Sequence, residues 1–291
     1  MCLGRAHRGR KRRREAVASV PERPDLEYVV PILARELAGA SIVGAIAKKP
    51  VVLRCSVEEP RGPIRDVKRR YHSVVFAMGE RDLVVLPMLA GRFDLAAAEA
   101  KDPGDLAVKF SLADGRALRY RDDVQMGKVW WTAPGTPIPG LAEGGIDVLG
   151  PEFTRARFRA LAKGRRDQVK VFLMDRTALD AMGNAYADEV LWAAKLHPKR
   201  AVARLKPEEF DALHDAIVEV LAHARDVIAK RQPPLPEKVR DFLNVRGREG
   251  DPCPRCGGRI RTAGIHGHDA CFCPTCQPDS DGRGFVDWRK T

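Results

Sequence analysis

The chain has 291 residues, enough to bury a substantial core and to form two lobes rather than one. No apolar run reaches the roughly 18 residues of a membrane span, and the opening MCLGRAHRGRKRRRE lacks a signal peptide's apolar stretch, so a soluble cytoplasmic protein is expected. The formal charge of +12, from 51 basic and 39 acidic residues, suits a partner rich in phosphates, but residues 1–20 hold seven Lys/Arg and one Glu and so carry half of it. Such an arginine block is either a disordered arm or translated upstream sequence.

From Pro24 to Leu37, the residues Leu26, Val29, Val30, Leu33 and Leu37 recur at helical spacing; Gly39 is placed to end the helix, and Pro31 is expected to kink or divide it. Residues 42–130 change period. Short β-rich runs (VVLRCSV, HSVVFAM, DLVVLPML, LAVKFSL, ALRYRDD, KVWW) alternate with Gly, Asp and Pro turns, the pattern of an antiparallel sandwich or barrel. WTAPGTPIPGLAEGGID is the expected inter-lobe linker.

Beyond the linker the period is helical, in FTRARFRALAKG, DQVKVFLMDRTAL, ADEVLWAAKLH and PEEFDALHDAIVEVLAHARDVIAKR. In the last of these, Phe210, Leu213, Ile217, Leu221, Ala224 and Ile228 share one face, which is a core stripe. The fold class expected is α+β: an N-terminal helix with an antiparallel β-sandwich lobe, a helical lobe, and a C-terminal zinc hairpin. The corresponding domains are 21–133, a linker at 134–148, 149–232 and 245–280, with 1–20 as a leader.

Of seven cysteines, five fall within residues 253–276, a clustering that points to a metal rather than a secreted disulfide framework. Cys253, Cys256, Cys273 and Cys276 form C-x2-C, sixteen residues, C-x2-C. Two such knuckles can fold back as a hairpin around one tetrahedral zinc, and four sulfur ligands leave no position for water, so the ion is structural. Cys271 is left over, and His266 or His268 could replace a sulfur.

This order of elements, together with PERPDLE, MGNAYADEVL and GREGDPCPRCG…CFCPTCQ, resembles the formamidopyrimidine-DNA glycosylase/endonuclease VIII family over residues 21–277. The resemblance implies a bifunctional DNA glycosylase and abasic-site lyase with one structural zinc, acting as a monomer on double-stranded DNA that contains a damaged base or abasic site. It also implies a helix-two-turns-helix in RRDQVKVFLMDRTALDAMGNAYADEVLWAAKLHP. The family's nucleophile is an N-terminal proline, which places that role on Pro21. A proline inside a chain has its nitrogen lone pair delocalised into the amide, whereas a terminal one is a secondary amine able to attack a sugar carbon. Pro21 is therefore expected to begin the working protein, with Val20 read as a misplaced start; proteolytic exposure and an intact leader over a dead site are the alternatives.

Glu22 matches the family's catalytic acid and proton shuttle. Read from the residues alone, it is a first-turn carboxylate at a helix N-terminus. Asp25 takes the place of a further family glutamate. Lys170 and Asn184 match residues that bind phosphates around the lesion; a solvated face and a helix cap are their plain readings. His72 stands where the family has an active-site lysine, and His268 where it has a phosphate-clamping arginine, so two permanent cations are exchanged for imidazoles that titrate near neutrality. Met88 or Leu89 falls at the intercalating position, and Gln125 with Met126 where many members have arginine and phenylalanine; an apolar wedge can still fill the gap left by an extruded base. RQPPLPEKVRDFLNVRGREGDPC is too short for the family's long lesion-covering loop, so a more open pocket is expected. Two non-enzymatic readings stand beside this one: a binder of damaged or abasic DNA with the same fold, and a nucleic-acid-binding zinc protein that uses the arginine arm.

Overall fold

The computed structural model describes residues 21–141, 144–180 and 182–279. The arginine-rich leader and residue 280, the last residue of the expected hairpin domain, lie outside the described residues.

The first helix, α1 (Arg23–Glu36), is followed by β1 (Ser41–Ala47), β2 (Gly62–Pro63), β3 (Asp66–Arg70), β4 (Ser73–Ala77), β5 (Asp82–Leu86), β6 (Arg92–Ala97), β7 (Leu106–Leu112), β8 (Arg116–Arg121) and β9 (Lys128–Thr132). These strands form two antiparallel sheets, β2-β1-β7-β8-β6 and β3-β4-β5-β9. Leu26 and Leu33 of α1, with Leu37 just after its end, join Phe76, Leu83, Phe110 and Leu118 in the core between them. Gly39 ends the helix region with a left-handed φ of 74°, as the sequence predicts.

Pro31 stands exposed inside a continuous α1, which it does not divide. One expectation is corrected. VVLRCSV forms no strand: Pro50–Val52 is a 3-10 turn and Leu53 makes only an isolated bridge to Val129. Pro50 cannot donate to a ladder, and only Val52 of the turn is buried.

The second lobe contains β10 (Ile146–Asp147), α2 (Arg155–Ala162), α3 (Val169–Leu173), β11 (Leu179–Asp180), α4 (Asn184–Ala193) and α5 (Pro207–Arg231). DQVKVFLMDRTAL is thus only partly helical: α3 stops after five residues, and the chain turns before β11 pairs in parallel with β10. The stripe on α5 is buried from Leu213 to Ile228, with Phe210 packed against its edge. The segment predicted as linker covers a sheet face as well. Its Ile138 and Leu141 pack on Val75, Val84 and Leu86, which explains why β4 and β5 are buried on both faces. β12 (Arg261–Ile265) and β13 (His268–Phe272) form the C-terminal hairpin. No helix of the described residues is long and apolar enough to cross a membrane.

An ionic clasp joins the lobes. Arg23 of α1 donates from Nε and Nη2 to the two oxygens of Asp147 (3.0 and 2.9 Å), and Arg69 of β3 reaches Asp147 at 3.3 Å and also pairs with Asp180. These contacts hold the Asp147 carboxyl below the usual carboxylate range, against the opposing effect of burial. With the folded pKa lowered, the clasp contributes above the ordinary carboxylate pKa and is lost as pH falls through the lowered value. Asp147→Ala should cost about 1–3 kcal/mol in urea unfolding near neutrality, with the difference from wild type shrinking in acid.

Candidate active site

Pro21 and Glu22 immediately precede α1, both are buried, and Pro21 lines a small cavity beside that helix. Glu22 is buried, and its side chain does not serve its own helix: Oε2 accepts the N–H groups of Gly183 (2.9 Å) and Tyr186 (3.2 Å), and Oε1 that of Ala185 (3.0 Å). The carboxylate of the first lobe thereby caps the N-terminus of α4 in the second, where unpaired N–H groups and the helix dipole both favour a negative charge. Burial nevertheless pushes its pKa up, against Arg240 and the backbone donors, with Asp25 adding to the rise. A carboxyl raised in this way can hold a proton and release it at a reacting oxygen.

Gly183 makes the approach possible. A Cβ there would lie 2.6 Å from Glu22 Cδ, so the close contact and not the backbone angle demands glycine. Asp25, in the first turn of α1, accepts the Glu22 N–H at 2.9 Å and receives a two-pronged guanidinium from Arg240, one prong at 2.8 Å. Arg240 also lies over the Tyr186 ring, 5.0 Å from its centroid.

His72 is 1% exposed at the β3–β4 turn, and neither ring nitrogen has a hydrogen-bond partner among the described residues. Burial, with Arg176 and Arg69 nearby, lowers its pKa to about 3, so in the DNA-free protein the ring is neutral throughout the physiological range. The part-time cation expected at this position is thus absent without DNA. Arg176, which the sequence reading missed, is the cation beside it. Half-buried in the turn after α3, its guanidinium makes no ion pair or hydrogen bond with the described residues, and its charge is felt by both Glu22 and His72.

The phosphate-binding candidates converge elsewhere. Lys170 is fully buried, paired with Asp188 and donating to the Asp269 carbonyl at 2.7 Å; it is neither on a solvated face nor open to a phosphate in this state. Asn184 Nδ2 donates to Asp269 Oδ1 at 3.0 Å, and Arg246 reaches Asp188 (3.1 Å) and the same Asp269 oxygen (3.1 Å). The resemblance pointed to Lys170 and Asn184, whereas Asp188, Arg246 and Asp269 had no signal beyond their charge. His268, next to Asp269, is exposed at the start of β13.

The wedge candidates lie on two turns. Met88 and Leu89 are half-buried, with Met88 against the Val75 cluster and Leu89 left-handed at φ 32°. Gln125 is exposed at φ 61° in a turn that Asp122 organises through the N–H groups of Gln125 (2.9 Å) and Gly127 (2.7 Å), and Met126 beside it is 46% exposed.

In the hairpin, one ligand atom from each of Cys253, Cys256, Cys273 and Cys276 lies within 4.8 Å of the others. The Cys253–Cys276 and Cys256–Cys273 sulfurs are 3.9 and 3.5 Å apart. A tetrahedron of thiolates about 2.3 Å from zinc has edges of about 3.8 Å, so these residues fit one structural zinc. Cys271 stands outside the cluster. Trp192 of α4 donates its indole N–H to Cys253 Sγ (3.4 Å), and the buried Gln277 donates to the Leu196 carbonyl (2.8 Å), fastening the hairpin to the helical lobe.

Residues 20–129 match the formamidopyrimidine-DNA glycosylase N-terminal domain, residues 145–231 the formamidopyrimidine-DNA glycosylase H2TH domain, and residues 250–278 the zinc finger found in FPG and IleRS. The formamidopyrimidine-DNA glycosylase of Pelotomaculum thermopropionicum is 30% identical over 89% of this chain and 99% of its own length. This chain belongs to the formamidopyrimidine-DNA glycosylase family. The enzyme of that name from Symbiobacterium thermophilum is 35% identical over 75% of this chain and 74% of its own. Among solved structures, Lactococcus lactis Fpg bound to abasic-site DNA has a TM-score of 0.78 at 25% identity, covering 88% of this chain and 99% of that one. A mutant of the same enzyme bound to Fapy-dG-containing DNA has a TM-score of 0.80 at 26% identity, covering 89% of this chain and 100% of that one.

The fit at Gly183 and the Asp269 cluster each lead to a test. Gly183→Ala should leave the fold intact by circular dichroism yet lower strand cleavage about 100-fold, since displacing Glu22 by an ångström spoils its alignment. Asp269→Asn, which removes an anion from Asn184 and Arg246, should tighten binding to an abasic-site duplex about three- to tenfold in fluorescence anisotropy, with a difference that narrows in high salt.

Proposed function

We propose that this chain excises a damaged base from duplex DNA and cleaves the strand at the resulting abasic site, with Pro21 as nucleophile and as the first residue of the working protein. The observation that carries the reading is the Glu22 carboxyl, buried beside Pro21 and held by three N–H groups at the N-terminus of α4. Its raised pKa would let it hold a proton and pass it to the reacting atoms beside Pro21.

In the reaction, the Pro21 amine attacks the sugar C1′ and the base departs. Glu22 gives its proton to the ring oxygen O4′ and takes the one the proline nitrogen loses, which opens the sugar to an iminium. The iminium acidifies C2′, and elimination of the 3′ phosphate cuts the strand. Arg176, close to Glu22 and lacking a carboxylate partner among the described residues, supports the phosphate or the developing charge at this centre. Asn184, Arg246 and His268 form the backbone grip, Met88, Leu89, Gln125 and Met126 lie on the turns that would enter the base stack, and zinc holds the hairpin in place.

The binding-only reading has one specific support: the grip around Asp269 and the zinc cluster are formed independently of the chemistry at the Pro21 nitrogen. Borohydride separates the two. A chain beginning at Pro21 should be trapped as a covalent adduct with abasic DNA, while the 291-residue chain, whose Pro21 nitrogen is an amide, should bind the same DNA and yield none. Tight binding without an adduct from the Pro21-terminated chain would leave only the binder.

A further inference from the structure

Glu22 is held through its main chain as well as its carboxyl, and the two attachments are joined by a closed path of hydrogen bonds. The Glu22 N–H donates to Asp25 Oδ2 (2.9 Å), and both Asp25 oxygens accept the Arg240 guanidinium. Nη1 of that guanidinium also donates to the Tyr186 hydroxyl (3.2 Å), and its central carbon lies 5.0 Å from the centroid of the Tyr186 ring. The Tyr186 N–H returns to Glu22 Oε2 at 3.2 Å, which closes the ring. Arg240 and Asp25 are 215 residues apart in the chain, and their side chains are only 16% and 8% exposed. Arg240 comes from the proline-rich joint that follows α5, which is anchored where Tyr28 of α1 donates to the Pro233 carbonyl at 2.8 Å.

We propose that Arg240 is a positioning residue for the proton transfers at Pro21: it locks the main chain of Glu22 to its carboxyl, so that the catalytic centre is complete only when the joint is docked. The inference rests on Pro21 being the nucleophile. The Glu22 N–H belongs to the peptide group that follows Pro21, and holding it on Asp25 fixes the rigid plane on which the proline ring is mounted. Arg240 supplies charge as well as direction. Glu22 must hold a proton until O4′ accepts it and then take the one that the proline nitrogen loses, so neither its acid nor its carboxylate form can be too costly. Burial pushes its pKa up; Arg240 is the largest influence against that rise, and Asp25, which adds to it, is paired with the same guanidinium. Arg176 from the turn after α3, Lys238 from the joint and the Tyr186 hydroxyl from α4 also face the carboxyl. Of these cations, Arg240 is the one tied into the ring, bonded to Asp25 on one side and to Tyr186 on the other.

The test uses the zinc-loaded protein beginning at Pro21, which retains every hydrophobic cluster of the described fold. Single-turnover cleavage of a duplex with a preformed abasic site is measured at saturating DNA from mildly acid to alkaline pH. Glu22 starts the reaction protonated, so cleavage falls as pH rises through its pKa. Arg240→Met removes the charge that favours the carboxylate, so this alkaline limb should move up by about one pH unit while the plateau drops about 30-fold. Arg240→Lys keeps the charge and loses the fork; its limb should stay within about 0.3 pH unit of wild type, with a plateau about fivefold down. Asp25→Asn combined with Arg240→Met removes both charges and strands neither, so the fold is kept; its limb should lie between those of wild type and Arg240→Met, with the plateau still about 30-fold down. An alkaline limb that stays at the wild-type pH in Arg240→Met would mean that Arg240 is only a strut for the joint, and a double variant that cuts at the wild-type rate would mean that the ring is idle; each overturns the proposal. A wild type that leaves the abasic site uncut at every pH would instead overturn the reading of Pro21, and the role of Arg240 would fall with it.

Discussion

The molecule is organised around a carboxylate that belongs to one lobe and caps a helix of the other. Glu22 leaves α1 and ends against the first turn of α4, so the residue beside the proposed nucleophile is also the bond that positions the two lobes. Any movement that opened the cleft would strip three N–H groups of their acceptor in a buried place, which is costly for both partners. The proposed chemistry and the docking of the lobes therefore share one contact. The chain provides for it by placing glycine at position 183, where any side chain would strike the carboxyl.

Glu189 repeats the device further along α4. Its buried carboxylate accepts the N–H groups of Asn244 (2.7 Å), Val245 (2.8 Å) and Arg246 (2.9 Å), which fixes the path from the proline-rich joint to the zinc hairpin. Its neighbour Asp188 binds Lys170, Arg246 and the Cys271 N–H. Beside its apolar packing, α4 thus collects the N-terminal lobe, the joint and the hairpin through ionised or hydrogen-bonded groups. Removing one member of such a network leaves another charge buried and unpaired. The zinc knuckles complete the arrangement, with Trp192 and Gln277 tying them back to the same lobe.

The positive charge that first suggested a nucleic-acid partner turns out to be largely occupied within the folded lobes. Arg23, Arg69, Arg165, Arg240 and Arg246 all bind carboxylates. What distinguishes the cleft is the position of Arg176, which stands near Glu22 without a carboxylate at ion-pair distance among the described residues. Local placement, not net charge, is what prepares the cleft for an anionic substrate.

Much was legible in the chain itself. Periods of two and of 3.6 distinguished the β lobe from the helical one, because half-buried strands and helices must alternate at those intervals to hide one face. The cysteine spacing declared the zinc hairpin, because two knuckles are the shortest way to present four thiolates to one ion. The run PERPDLE with MGNAYADEVL announced the family, and the resemblance nominated Pro21, Glu22, Lys170 and Asn184 as candidates for its site. Where VVLRCSV was concerned, local composition misled, since β-branched residues also fit a 3-10 turn that lies outside both sheets. Only the folded structure decided which residues meet across long stretches of chain: that Glu22 serves α4 rather than α1, that Lys170 is consumed by Asp188, that His72 is too buried to be charged, and that Arg176 stands near Glu22. Periodicity and spacing are properties of neighbours along the chain, whereas burial and charge pairing depend on partners that only tertiary packing brings within a few ångströms.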